Sequence, residues 1–166
     1  MADIKLAYGT PTTGDGGIHS LATSATWTAG YEWFVIDNST EKALDYQVQG
    51  KVRVGTTPTT ATEIRLYAVG SYDGSTWSDV FDGTPSAETV TSEGVRDSFA
   101  KLAAVLRCDS TTSDRDYPFF FTLASLFGGT LPKKMVVFVA HNTGVNLNST
   151  GSNHTYQYQP VYATST

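Results

Sequence analysis

From Asp45 to Val54, in DYQVQGKVRV, the apolar positions Tyr46, Val48, Val52 and Val54 alternate with Asp45, Gln47, Gln49, Lys51 and Arg53. This period of two predicts a β-strand with one face in a core and one in water. Gly50 falls on the apolar face, which marks a close backbone approach or a bulge. GTTPTT then turns the chain, and EIRLYAV repeats the alternation with Ile64, Leu66 and Ala68 inward. Met135 to Ala140, MVVFVA, is apolar on both parities, as expected of a central strand covered on both faces. In HTYQYQPVYA a final strand carries Tyr156, Tyr158 and Tyr162 on one side and Gln157 and Gln159 on the other. Pro160 predicts an edge position or a strand end there.

Other stretches are read from their punctuation. Ile4, Leu6 and Tyr8 alternate before GTPTTGDGG breaks the pattern. Residues 1–20 therefore read as an N-terminal strand or arm, of a kind that a neighbouring subunit can order, and 21–166 as one domain. In VGSYDGSTWSD, Asp73-Gly74 is a strong hairpin signal, because a type I′ turn needs positive φ at its central residues. Gly74 is expected at φ > 0 and Asn should serve as well as Asp at 73. Tyr72 and Trp77 are placed as a cross-strand pair. VRDSFAKLAAVLRC fits a helical stripe through Phe99, Leu102, Ala103 and Leu106. It also fits a strand face through Leu102, Ala104, Leu106 and Cys108, and its second half is assigned to strand. DSTTSDRDYP and HNTGVNLNSTGSN read as polar connections, and Ala124 to Phe127 as one helical turn. Seven or eight strands separated by turn signals predict an all-β, single-domain antiparallel β-sandwich, with a jelly roll as its version.

Composition supports this class. Only 16% of the 166 residues are charged, and the polar requirement is met by 25 Thr and 15 Ser. Thr suits strands. The net charge of −5, with Lys133-Lys134 the only adjacent basic pair, argues against nucleic acid as a partner. Cys108 is the single cysteine, so no intramolecular disulfide forms. MADIKLAYG lacks the apolar core of a Sec signal, and no run reaches the ~18 residues of a membrane span. The expectation is a soluble protein made in a reducing cytosol, with no membrane partner.

Candidate chemistry is sparse. G-x-S-x-G is absent, and Cys108 reads as a buried small hydrophobe rather than a nucleophile. His141 and His154 end one strand and begin the next, so a hairpin could bring them together, but two histidines do not complete a zinc site. Asp109, Asp114 and Asp116 crowd one loop without EF-hand spacing and with Arg115 among them, which reads as a solvated cluster. No cofactor, metal or catalytic activity is expected. The candidate interaction surface combines the uncharged-to-basic strip Gln47, Gln49, Lys51 and Arg53 with the aromatic anchors Trp33, Trp77, Tyr156 and Tyr158.

WFVIDNSTEKALDYQVQGKVRV, then EIRLYAVGSYDGSTWSDV, then SLFGGTLPKKMVVFVAHNTGVNLN and a Tyr-rich last strand resemble small virion proteins of tailed bacteriophages, from about Leu21 to Ala163. The resemblance implies a structural part of the virion. Some such proteins are capsid decoration, or cement, proteins with jelly-roll folds that assemble as trimers on the head. It brings no catalytic residues. The expected partners are further copies in a homotrimer or other closed oligomer, and the major capsid protein or other virion proteins. The alternative is a carbohydrate-binding or host-receptor-binding β-sandwich module of a phage tail or fibre, using exposed tryptophans.

Overall fold

The structure is a computed structural model that describes residues 3–165; Met1, Ala2 and Thr166, at the outer ends of segments 1–20 and 21–166, lie outside the described residues. The elements in chain order are β1 (Ile4–Tyr8), β2 (Thr12–Asp15), β3 (Ala29–Asp37), α1 (Asn38–Glu41), β4 (Asp45–Arg53), β5 (Thr62–Ser71) and β6 (Ala87–Thr89). They continue with α2 (Glu93–Phe99), β7 (Lys101–Cys108), β8 (Asp116–Thr122), β9 (Lys134–His141) and β10 (Thr155–Ser165). The expected helical turn at Ala124–Phe127 is a 3₁₀ turn.

Two antiparallel sheets pack face to face, giving the all-β sandwich that the alternation predicts. The first has the order β1-β10-β4-β8, with β2 continuing β1 along the same edge of β10. The second has the order β6-β3-β9-β5-β7. The pairs β1·β10, β3·β9, β4·β8 and β5·β7 are nested, each inside the one before. The chain thus runs as one long hairpin of strand pairs, distributed over two sheets.

The inner faces are as the parity predicts. Tyr46, Val48, Val52 and Val54 of the first sheet meet Ile64, Leu66, Ala68, Met135, Val137 and Val139 of the second, all buried. At Gly50 a Cβ would lie 2.1 Å from the Thr155 carbonyl oxygen, so the glycine does mark a close backbone approach. In β7, Leu106 and Cys108 face inward, but Leu102 is exposed. A register shift opposite Leu66 and Tyr67 reverses the strand's parity between Ala104 and Leu102.

Two expectations are corrected and one open alternative is decided. Pro160 lies inside β10, which is flanked by strands on both sides. It is tolerated because it sits at the break between β1 and β2, where Gly9 N donates to Pro160 O at 2.9 Å and no further ladder bond is needed. Residues 4–15 form the strands β1 and β2 against β10 of their own chain, which is the strand alternative of the reading of 1–20 as a strand or arm. The stretch after β5 is a turn but not a hairpin, because β6 pairs with β3 and not with β5. Gly74 has φ +82° as expected, yet Tyr72 is exposed and Trp77 packs inward, so they form no cross-strand pair. The Asp73 carboxylate organises this turn. Its Oδ1 accepts from Ser75 N (2.9 Å), Thr76 N (2.7 Å) and Ser71 Oγ (3.1 Å), and its Oδ2 from Thr76 Oγ1 (2.6 Å).

The missing hairpin partner is replaced by an excursion, residues 72–100, that covers the outer face of the second sheet. Phe81, Val90 and Ala100 pack there on Tyr67, Val69, Val136 and Phe138. Asp79 holds the excursion together by accepting from Thr91 N (2.8 Å) and Thr91 Oγ1 (2.7 Å). Ser92 Oγ caps α2 by accepting from Val95 N (3.2 Å). Arg96 of α2 is fully buried beneath.

Two substitutions test the turn. Gly74→Val should destabilise the fold by about 1 kcal/mol or more, because a β-branched residue resists positive φ. Space is not the obstacle, since a Cβ there would meet nothing closer than 3.7 Å. Asp73→Asn should lower the melting temperature at pH 7, against the sequence expectation of a silent change, because its amide nitrogen cannot accept as Oδ2 does. The four donors hold the Asp73 carboxyl below its ordinary value of 3.8. Its stabilisation is therefore present above that value and lost as the pH falls beneath it. Thermal melts should show the wild-type advantage shrinking below pH 4; an advantage independent of pH would refute the role given to the carboxylate.

Candidate functional site

The two sheets differ on their outer sides. The second is covered by residues 72–100, and the first is bare. On its outer face Gln47, Gln49, Lys51 and Arg53 of β4 stand between Gln157 and Gln159 of β10 and Thr122, Phe120, Pro118 and Asp116 of β8. The strip predicted from the alternation is thus one row of an open surface. Gln49 Nε2 donates to Gln157 Oε1 at 2.7 Å, and Gln159 Nε2 donates to the Gly9 carbonyl at 2.9 Å. Asp116 takes Lys51 Nζ at 3.0 Å and Arg53 Nε at 2.6 Å. That pair of cations pulls the Asp116 carboxyl down to about 2. The basic end of the strip is therefore half offset within the face, one carboxylate against two cations.

Two apolar features interrupt this polar surface. Phe120 points outward beside Gln49 and is 60% exposed. Along the β1 edge, Ile4, Leu6 and Tyr8 are 80%, 65% and 58% exposed, opposite Ser165, Ala163 and Val161.

The aromatic candidates lie elsewhere. Trp33 is buried between the sheets, edge-on to Phe34, Phe119 and Tyr156, with Nε1 donating to the Gly16 carbonyl at 2.7 Å. Tyr156 and Tyr158 are half-buried on the inner face and stack on Phe34 with centroids at 4.1 and 6.0 Å. Trp77 lies against the outer layer of the second sheet. These four rings hold the fold together and do not form a sugar platform.

The polar clusters are likewise spent internally. His141 and His154 are buried at the ends of strands in different sheets, so no hairpin joins them. His141 Nε2 bonds the Leu21 carbonyl at 3.0 Å, and His154 Nε2 bonds the Asn148 carbonyl at 2.8 Å. Burial lowers His141 to about 4 and His154 in the same direction. Both are thus neutral imidazoles tying loops down. Asp109 turns to Arg115 (3.6 Å), Asp114 accepts from Asn148 Nδ2 (2.6 Å), and Asp116 is engaged as above. Among the described residues no group of three or more His, Cys, Asp or Glu is placed to hold a metal. Burial raises the Cys108 thiol.

One residue that sequence reasoning missed is Glu32 of β3. It is fully buried on the covered side of the second sheet, and neither carboxylate oxygen has a hydrogen-bond partner. Burial pushes it up to about 7. The Asp82 carboxylate adds to this, while the nearby amides of Asp82 and Gly83 pull the other way without reaching hydrogen-bond geometry. The signal in the sequence is YEWFVI, apolar around its one acid on both parities. A strand of that kind is covered on both sides and has no wet face for a carboxylate.

Comparison with known proteins gave no match to a family model, a curated protein or a solved structure.

The buried acid and imidazole have opposing effects on stability. The raised Glu32 gives stability that is complete below pH 4.5 and lost as the pH climbs through 7. The lowered His141 gives stability that is complete above pH 6.5 and lost as the pH falls toward 4. Between pH 4.5 and 6.5 the folded chain holds one proton more than the unfolded chain at Glu32 and one fewer at His141. Their slopes cancel there, each being about 1.4 kcal/mol per pH unit. Urea unfolding of Glu32→Gln should show stability falling on acidification across this window, with His154 adding to the fall. In His141→Gln that fall should weaken or reverse. Identical pH profiles for both variants would refute the assignment.

Proposed function

We propose that this chain is a jelly-roll structural component of a tailed-bacteriophage virion, of the capsid decoration type, which works as a homotrimer or other closed oligomer on the head surface. The single observation that carries the reading is the asymmetry of the sandwich, one outer face covered by the chain itself and the other bare. The bare face is bordered by an edge strand with three exposed apolar side chains. An edge strand of this kind is a template for pairing with another chain, and a monomer would be expected to protect it. Its exposed groups fit a neighbouring copy, because symmetric assembly repeats one interface on every subunit. The nested strand pairing fits a jelly roll, and the phage-like stretches from Leu21 to Ala163 agree with both.

Two measurements test this. Mass spectrometry of purified virions should detect the chain, and its absence from the particle would refute the reading. Light scattering at micromolar concentration should give an oligomer for the wild type and a monomer for Leu6→Lys. A charge on that exposed row adds repulsion between copies without entering the core. A wild-type monomer that stays monomeric when added to capsids would refute the assembly part.

A further inference from the structure

We infer that the bare face of the first sheet holds a binding site for neutral glycans, centred on Gln49 and Gln157. The face carries an open depression of about 850 Å³ there, between β2, β10, β4 and β8. That volume lies in the range of small-ligand sites, about 300–1,000 Å³. Its lining includes Thr13, Asp15, Gln49, Lys51, Gln157 and Pro118.

The chemistry of the lining selects the ligand. Gln49 and Gln157 are bonded to each other by one amide N–H. That leaves one carbonyl oxygen and one NH₂ group without a protein partner. The same remainder results whichever way round the two amides are assigned. An acceptor and a donor side by side match vicinal hydroxyls, each of which both gives and takes a hydrogen bond. Phe120, outward beside Gln49, offers an exposed ring for the apolar face of a sugar. Asp116 is shared by Lys51 and Arg53, one carboxylate against two cations, whereas the Asp15 carboxylate has no cation within salt-bridge distance among the described residues. Two cations stand against two carboxylates, so the lining carries no net charge to attract an ionic sugar, and its free hydrogen-bonding groups suit a neutral one.

The site is distinct from the edge assigned above to a neighbouring copy. Along β10 the step from Gln157 to Ala163, which faces Leu6, is roughly 20 Å at the rise of a strand. The two can be occupied together, and the inference does not depend on the virion reading.

The test uses the full chain on immobilised neutral hexose oligosaccharides, with uronic-acid oligosaccharides as the anionic comparison. Wild type should bind neutral members and not the anionic ones. Gln49→Ala, Gln157→Ala and Phe120→Ala should each weaken binding about tenfold, the loss expected for one hydrogen bond or one ring contact. Gln47→Ala, on the same face outside the depression, should bind as wild type does. Circular dichroism should show all four variants folded, since each changes an outward side chain. No binding to any neutral glycan at millimolar concentration, a preference for uronic acids, or equal losses in Gln47→Ala and Gln157→Ala would each overturn the inference. Incorporation of Gln157→Ala into virions at the wild-type level would separate this site from the assembly edge; loss of incorporation would place the depression in the assembly interface and overturn it as a glycan site.

Discussion

A guanidinium removed from water holds the outer layer of this molecule in place. Arg96 is fully buried, and burying a cation costs several kcal/mol unless it is well compensated. Its Nη1 donates to the carbonyls of Thr26 (3.1 Å) and Trp27 (2.9 Å). Its Nε and Nη2 meet Asp97 at 2.8 Å, and its plane lies 4.8 Å from the Tyr67 ring. These contacts tie α2 to the segment before β3 and to the outer side of β5. Residues 72–100 therefore close over the second sheet. Were that cover absent, Val69, Val136 and Phe138 would face water, and the molecule would have two open sheets.

Closure on one side determines what is free on the other. The first sheet is left with amides, two cations set against the Asp116 and Asp15 carboxylates, one outward phenylalanine and an apolar edge. A polar face without net charge suits contacts read by shape and hydrogen bonds more than by long-range attraction. The apolar edge beside Ala163 and the depression beside Gln157 lie at opposite ends of β10, so the proposed assembly edge and the proposed glycan site need not compete for area.

Buried polar groups carry a second theme. His141 donates to the Leu21 carbonyl and His154 to the Asn148 carbonyl, so each ties a loop down to the end of a strand. Glu32 lacks such partners and lies beneath the closing loop at Asp82-Gly83. An acid with a raised value and an imidazole with a lowered one offset each other across the mildly acidic range. Between these two groups the slopes cancel in that window, and His154, lowered by burial as well, adds a fall on acidification.

The sequence by itself determined the sandwich. Alternation in β4, β5 and β10 named the inward residues, the doubly apolar MVVFVA marked the central strand, and Gly50 marked the close approach. These patterns are local, because a strand's two faces are written in consecutive residues. It also placed Gln47, Gln49, Lys51 and Arg53 on a wet face. What only the tertiary structure decided is which wet positions stay wet. Trp33, Tyr156 and Tyr158 were legible as aromatics, but not as inter-sheet packing. The fate of Tyr72 and Trp77 turned on β6 choosing β3 over β5, a pairing between segments more than fifty residues apart. Glu32 looked like any strand acid until a distant excursion covered it. The pairing of Gln49 with Gln157, and the depression beside it, exist because β10 returns to lie beside β4. Contacts of that range depend on which segments meet, and a run of residues read by its own period does not contain that information.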